Sequence, residues 1–307
     1  MMRAKFHTLD VFTDRVFGGN PLAVFPDAEG IAPETMQRIA HELNLSETVF
    51  VTGAEGATFG VRIFTPLGEL PFAGHPTVGT AFLLTALGRV PAGGRVARLV
   101  LREAVGPVPV EVRIEDGRPT FAMFAAPRIP EAGPPHPAPE ILAQVLSIDE
   151  SDLGGSLPTA NYSAGVPFLF VSVRSRDALA RARVDLAAWE RHVASAWAPH
   201  LYVSTDDTGE EGVALRARMF APAMGIAEDP ATGGAATALA GLLAARDAGA
   251  DGTWSWKVVQ GVEMGRPSRI MVEADVVDGR VAQVRVGGGA VPVSEGEARA
   301  AIGTILD

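Results

Sequence analysis

The sequence predicts an α+β protein of two similar domains, each enclosing one wholly apolar helix. Short runs with an apolar residue at every second position recur along the chain, as in strands. Two segments, GHPTVGTAFLLTALG (74–88) and DPATGGAATALAGLLAA (229–245), are apolar on every helical face. A helix without a polar face has to be surrounded by other structure. The halves also resemble each other. FGVRIFTPLGELPFAGHPTVGTAFLL (59–84) aligns with LRARMFAPAMGIAEDPATGGAATALAGLL (215–243). The alignment pairs Phe64-Thr65-Pro66 with Phe220-Ala221-Pro222, and His75-Pro76-Thr77-Val78-Gly79 with Asp229-Pro230-Ala231-Thr232-Gly233. A repeat of about 150 residues is too long for a solenoid unit and implies two domains.

Along the chain, residues 5–12 alternate as a strand, Asp14–Pro21 turns through Gly18, Gly19 and Asn20, and Leu22–Phe25 returns. Pro33–Leu43 is an amphipathic helix, with Met36, Ile39, Ala40 and Leu43 at 3/4 spacing. Strand-like runs follow at 47–52, 59–65, 96–101, 108–114 and 119–124. The segment 127–139 carries Pro127, Pro130, Pro134, Pro135, Pro137 and Pro139 and reads as a linker, which sets the domains at 1–127 and 128–289. Beyond it come strands near 166–173, 200–205 and 213–220, a polar helix around 176–197, and strands at 254–259, 268–277 and 280–286. After each apolar helix two strands are joined by an Asp-Gly turn, Glu115-Asp116-Gly117-Arg118 and Val277-Asp278-Gly279-Arg280.

Composition sets outer limits. Lys and Arg number 26 and Asp and Glu 36, a net charge of −10. Nucleic acids and anionic membranes select basic patches, so neither is expected as a partner. The absence of cysteine excludes disulfides, thiolate metal sites and thiol catalysis. Lys5 and Lys257 are the only lysines, few candidates for Schiff-base chemistry. The start MMRAKFHTLDVF lacks the apolar run of about 7–15 residues that marks a signal peptide. No stretch approaches the roughly 20 apolar residues of a membrane span. A cytoplasmic enzyme is the expectation.

The two helix entries are the first candidate chemistry. Glycines at a helix start let a ligand approach the backbone, and the free N–H groups there attract an anion. The alternative is a pair of capped helix starts. His75 lies at one entry between Gly74 and Pro76, and Asp229 holds the aligned place at the other. An N-cap role for Asp229 is compatible with a catalytic one. Glu47, in Asn44-Leu45-Ser46-Glu47-Thr48-Val49-Phe50, opens an apolar run. A carboxyl held among apolar neighbours is shifted towards neutral pH, which suits a general acid/base. The alternative is a solvated carboxylate on an edge strand. Glu69 and Glu228 are weaker candidates with the same alternative. No Walker loop, G-x-G-x-x-G, H-E-x-x-H or G-x-S-x-G is present. No metal, nucleotide or flavin is expected. Glu, His and Asp near two anion-binding helix ends suit moving a proton on a small carboxylate substrate without a cofactor.

At these residues the chain resembles the PhzF-like family, the isomerase family of phenazine biosynthesis. FHTLDVFTDRVFGGNPLAVF (6–25), LNLSETVFV (43–51), RIFTPLGELPFAGHPTVGTA (62–81), EDPATGGA (228–235) and QGVEMGRPS (260–268) appear in the family's order. The resemblance implies the diaminopimelate-epimerase-like fold: two pseudo-symmetric domains, each a β-barrel-like sheet wrapped around a central helix, with the active site in the cleft between them. It also implies a homodimer and a C-terminal segment, 290–307, that returns to the first domain. Epimerases of this fold use paired cysteines, which this chain lacks. By resemblance Glu47 is the acid/base on a 2,3-dihydro-3-hydroxyanthranilate-like substrate, while His75 and Asp229 hold and polarise it. The backbone at Gly74, Gly79, Gly233 and Gly234 binds its carboxylate, and Asn20 and Gln260 line the cleft. The family usually reads Asp-Pro-x-Thr-Gly-Ser where this chain has Gly234, so one substrate-binding hydroxyl is missing. An isomerase is the leading reading. A non-catalytic ligand-binding protein on the same fold, or a dehydratase or lyase using the same acid/base, are the alternatives.

Overall fold

The computed structural model describes residues 2–91 and 93–300. Of the segment expected to return to the first domain, 301–307 lie outside the described residues. The chain is a sheet-rich α+β protein that divides into two compact units, one of residues up to Pro127 with those from Gly287 onward, the other Arg128–Val286.

The first unit contains β1 (Met2–Val11), β2 (Asn20–Phe25), α1 (Pro33–Leu43), β3 (Glu47–Glu55), β4 (Thr58–Phe64), β5 (Glu69–Leu70), α2 (Gly74–Ala86), β6 (Val96–Glu103), β7 (Gly106–Glu115) and β8 (Arg118–Ala125). β1 to β4 pair in succession, then β4 pairs with β6, β6 with β7 and β7 with β8. Only β2–β3 and β4–β6 are parallel. Parallel neighbours need a crossover, and α1 and α2 supply the two. α1 sets Met36 and Ala40 against Phe25, Phe50 and Phe64, with Phe25 and Phe50 stacked at 4.8 Å. α2 is buried from Gly74 to Thr85 and packs on β1, β2, β3, β6, β7 and β8. The β7–β8 turn holds Asp116 and Gly117 at φ 49° and 74°, the left-handed pair that a two-residue hairpin of right-twisted strands requires.

The second unit contains β9 (Glu131–Ala132), α3 (Pro139–Leu146), β10 (Ala160–Ser163), β11 (Pro167–Ser172), α4 (Arg176–Arg181), α5 (Leu186–His192), β12 (His200–Thr205), β13 (Leu215–Ala221), β14 (Ile226–Asp229), α6 (Gly233–Asp247), β15 (Gly252–Gln260), β16 (Ser268–Val277) and the bulk of β17 (Arg280–Gly288). Its pairings repeat those of the first unit. β10–β11, β12–β13 and β15–β16 are antiparallel, as are β1–β2, β3–β4 and β6–β7. β11–β12 and β13–β15 are parallel, as are β2–β3 and β4–β6. α6 is buried from Ala235 to Ala244 and packs on β9, β10, β11 and β16. The β16–β17 turn repeats the left-handed pair at Asp278 and Gly279, and Asp251 accepts both their N–H groups at 3.0 and 3.1 Å.

Two expectations are corrected. The single helix at 176–197 is two, because Ser175 and Asp185 each cap a new start by accepting from Ala178 N–H at 3.1 Å and Ala188 N–H at 2.9 Å. The proline-rich segment is packed rather than a free linker: Gly133 N–H donates to Asn161 O at 2.7 Å, and Asn161 Nδ2 donates to Pro134 O at 3.0 Å. The C-terminal stretch β18 (Ala290–Ala300), polar and without a strand pattern, lies in the first unit as expected and pairs with β1 along the length of both. Backbone pairing with a buried neighbour overrides weak propensity. The return begins before residue 290, since Phe12 N–H donates to Gly289 O at 2.7 Å.

Candidate active site

Glu47 is the first residue of β3, held in parallel register opposite Leu22 of β2. Asn20, fully buried, opens β2 two residues before Leu22, at the same end of the sheet. α2 starts at Gly74 after an extended Ala73, so His75 is its second residue. There His75 Nε2 lies 3.2 Å from Glu47 Oε2, with the two side chains 4% and 12% exposed. Burial pushes the His75 imidazole down to about 3, since a charged ring cannot recover its lost hydration. At neutral pH the contact is therefore a carboxyl group facing a neutral imidazole, not an ion pair. Such a pair accommodates either state of the carboxyl: an ionised oxygen accepts an N–H, and a protonated one donates to a ring nitrogen.

The first rung of α2 is Thr77 N–H to Ala73 O at 3.2 Å. The N–H groups of Gly74 and His75 precede it and remain outside the helical ladder, and Pro76 has none. Gly79 is different. It lies within the helix, where its N–H belongs to the ladder, and a Cβ there would come 2.5 Å from Leu22 and 2.7 Å from Val11. Gly79 is thus a close-packing residue rather than a carboxylate-binding amide.

In the second unit Asp229 ends β14, and α6 begins only at Gly233 with Thr232 as its N-cap residue. Asp229 is not the cap, and Pro230 lies outside the helix. The first rung is Ala236 N–H to Thr232 O at 2.9 Å, which leaves the amides of Gly233, Gly234 and Ala235 ahead of the ladder. Thr232 Oγ1 donates to Asp229 Oδ2 at 2.5 Å. Gln260, fully buried, donates to Asp229 O at 2.8 Å and to Thr232 Oγ1 at 3.0 Å, and accepts Thr232 N–H at 3.3 Å. Its amide is spent fastening this loop, so Gln260 is a clasp and not a lining residue. At Gly234 a Cβ would meet only Phe168 Cζ, at 4.0 Å, an ordinary van der Waals contact.

Strand registers give the true correspondence between the units. Thr48 pairs with Phe64, and Leu201 with Phe220. With Phe64 and Phe220 equivalent, Glu47 corresponds to His200. Ile63 pairs with Leu70 and Met219 with Asp229, so Asp229 corresponds to Leu70 and not to His75. As the second residue of its helix, His75 corresponds to Gly234. Phe59 pairs with Leu101 and Leu215 with Val258, which makes Glu103 the counterpart of Gln260. Glu69 and Glu228 also match: each grips an arginine with both oxygens, Arg62 at 2.8 and 2.6 Å and Arg218 at 2.8 and 2.8 Å. Both are structural ion-pair residues.

Sequence reasoning missed Glu103, His200 and Tyr202. Burial pushes Glu103 up to about 8 and His200 down to about 4. Tyr202, buried beside Phe170 at 5.4 Å, pairs directly with Met219, which pairs in turn with Asp229. A signal for Glu103 was available, because Ala97, Leu99 and Leu101 alternate inward and Glu103 is next in that series.

Among the described residues no helix is long and apolar enough to cross a membrane. The family model for phenazine biosynthesis-like proteins, PhzC-PhzF, matches residues 9–296. A protein of Mesorhizobium japonicum named an uncharacterized isomerase is 40% identical over 303 residues, covering 97% of this chain and 99% of its own. The trans-2,3-dihydro-3-hydroxyanthranilate isomerase of Pseudomonas aeruginosa is 36% identical over 305 residues, covering 96% and 99%. The crystal structure of a PhzF-family phenazine biosynthesis protein of Bacillus anthracis is similar at a TM-score of 0.86 and 27% identity, over 97% of this chain and 100% of that one. Matched by the family model over nearly its whole length and 40% and 36% identical to two proteins named isomerases, the chain belongs to the PhzC-PhzF family of phenazine biosynthesis-like isomerases.

Proposed function

We propose that the protein moves a proton within a small amino- or hydroxy-carboxylate, with Glu47 as the acid/base and no cofactor in the step. The observation that carries this reading is the 3.2 Å approach of Glu47 Oε2 to a buried, neutral His75. Glu47 as carboxylate takes a proton from an acidic C–H, and the released electron pair moves into the adjacent unsaturated system. The same carboxyl then returns the proton at a different carbon, so the double bond migrates and no atom is gained or lost. His75 steadies the carboxyl in both states and polarises the substrate's polar groups.

The amide of Gly74 and those of Gly233 and Gly234 are proposed to bind the carboxylate, and Asp229 the amino or hydroxyl group. Asn20 belongs to the same reading as a substrate contact. Each unit is taken as one barrel-like sheet around its apolar helix, in the diaminopimelate-epimerase manner, and the assembly as a cytoplasmic homodimer. A solution mass near twice the 32.1 kDa chain would support the dimer.

The name of the Pseudomonas aeruginosa relative supplies the first substrate to offer, trans-2,3-dihydro-3-hydroxyanthranilate. Proton NMR in deuterated water, with wild type and Glu47→Gln, tests the proposal. Deuterium incorporation or double-bond migration should appear with wild type and fall by about 10²–10⁴-fold in the variant. Wild-type rates in Glu47→Gln would overturn it. Binding without exchange by either protein would point to a ligand-binding protein, and a product lighter by one water to a dehydratase.

A further inference from the structure

Glu103 closes β6 on the inward face and is 7% exposed. Its Oε1 lies 2.7 Å from Thr77 Oγ1, and that oxygen lies 2.7 Å from Ala73 O. Three oxygens stand in a chain of two short contacts, but a threonine hydroxyl has one proton and a carbonyl none. Both contacts are full two-centre hydrogen bonds only when Glu103 carries a proton: Glu103 O–H donates to Thr77, and Thr77 O–H donates to Ala73. The other oxygen, Oε2, is buried with no hydrogen-bond partner among the described residues, a poor place for a full negative charge.

The second unit makes the comparison direct. At the corresponding strand position Gln260 fastens Thr232, the N-cap residue of α6, with a neutral amide. Glu103 fastens Ala73, the N-cap residue of α2, through Thr77. One fold position thus carries a clasp in each unit, an amide in one and an acid in the other.

We propose that Glu103 is a protonated, neutral acid at neutral pH and the positioning residue that fixes the first turn of α2, and so His75 against Glu47. The catalytic consequence rests on the role proposed for those two residues; the protonation and the clasp do not. Burial, which pushes this carboxyl up to about 8 against the lowering effect of the Thr77 hydrogen bond, agrees with the proton count. Beside Glu103 on the inward face, Leu101 of the same strand pairs with Phe59 of β4 and Val108 of β7, and none of the three carries charge. From α2 comes Thr77, and two residues before it in the chain stands the neutral His75, which faces Glu47. Raising the pH through about 8 ionises Glu103. The donor is lost, Thr77 can then serve only one of its two acceptors, and the helix entry loosens.

Two measurements test this without any substrate. Infrared difference spectra between about pH 6.5 and about pH 9.5 should show a protonated-carboxyl C=O band in wild type that is lost at the alkaline end and is missing from Glu103→Gln. With ¹⁵N-labelled histidine, the His75 ring signals should move in wild type with a midpoint near 8 and stay still over the same range in Glu103→Gln. No such band in wild type, or a band unchanged in the variant, overturns the protonation. A still His75 in wild type, or the same midpoint in the variant, overturns the positioning role. Should Glu103→Gln fail to fold, the wild-type band and the wild-type His75 titration decide alone. Where turnover is measurable, wild-type kcat/KM should fall about tenfold per pH unit above about 8, and Glu103→Gln should lack that limb. An inactive protein with both spectroscopic signatures would refute the catalytic reading and leave Glu103's state established.

Discussion

His75 and Gly234 hold the same place in the two units, the second residue of α2 and of α6, and only the first has a side chain. The chemistry is accordingly asymmetric on a repeated frame. Glu47 meets an imidazole at 3.2 Å, while its counterpart His200 has no side chain to meet at Gly234. That difference suggests a direct experiment. Gly234→Ser should fold, since only Phe168 Cζ, at 4.0 Å, approaches the new Cβ. Replacing this first-turn glycine by serine should stabilise by about 0.3–0.5 kcal/mol, read by urea unfolding. On the proposed substrate the added hydroxyl should lower KM by up to about tenfold, the worth of one hydrogen bond.

The acid limb of stability should run through His75. Its folded value, about 3, lies below the ordinary 6.5, so between those values the unfolded chain binds a proton that the folded chain does not. Stability is then fully present above about 6.5 and falls as pH drops towards 3. His200, lowered to about 4, acts in the same direction. In His75→Gln the slope of unfolding free energy against pH over this window should be shallower than in wild type. An unchanged slope would contradict the burial account.

Glu103 should produce the opposite trend. The folded chain keeps a proton between 4.5 and about 8 that the unfolded chain releases, so this contribution is complete below 4.5 and is lost as pH rises through about 8. Glu103→Gln should therefore gain on wild type steadily from pH 5 to pH 8, measured by thermal melts across that range.

Gly79 should tolerate no larger residue. Gly79→Ala gains about 1 kcal/mol of helix propensity but forces a Cβ to 2.5 Å from Leu22 and 2.7 Å from Val11. Overpacking of this kind costs about 1–3 kcal/mol, and the net effect should be destabilising in urea. Leu22→Ala in the same chain should relieve part of the strain, giving a non-additive double-mutant cycle.

Tyr202 is fully buried, and its hydroxyl has no hydrogen-bond partner among the described residues. An unmet buried donor is a cost, so Tyr202→Phe should leave stability unchanged or raise it. A loss of more than about 1 kcal/mol would show that the hydroxyl is satisfied.

Much of the frame was legible in the residues themselves. Two helices without a polar face had to be enclosed, and α2 and α6 are buried along most of their length. Asp-Gly between alternating runs wrote both tight turns, at Asp116-Gly117 and Asp278-Gly279. Glu47 and His75 are each a titratable group in an apolar stretch of sequence. These signals are local, held in side-chain pattern and backbone preference over a few neighbouring residues. What only the tertiary structure decided depends on partners far apart in the chain. Aligned by sequence, His75 matches Asp229; the helix starts match it instead to Gly234, because α6 starts four residues after Asp229 while α2 starts one residue before His75. Gln260 and Gly79 carry residue types suited to binding, yet their contacts make one a clasp and the other a packing surface. β18 is a strand because β1 offers it an edge. Glu103 counts as an acid in the composition, and its burial against Thr77 decides whether it carries charge. A residue's type sets which protons and contacts are possible, and the packing of distant segments around it selects among them.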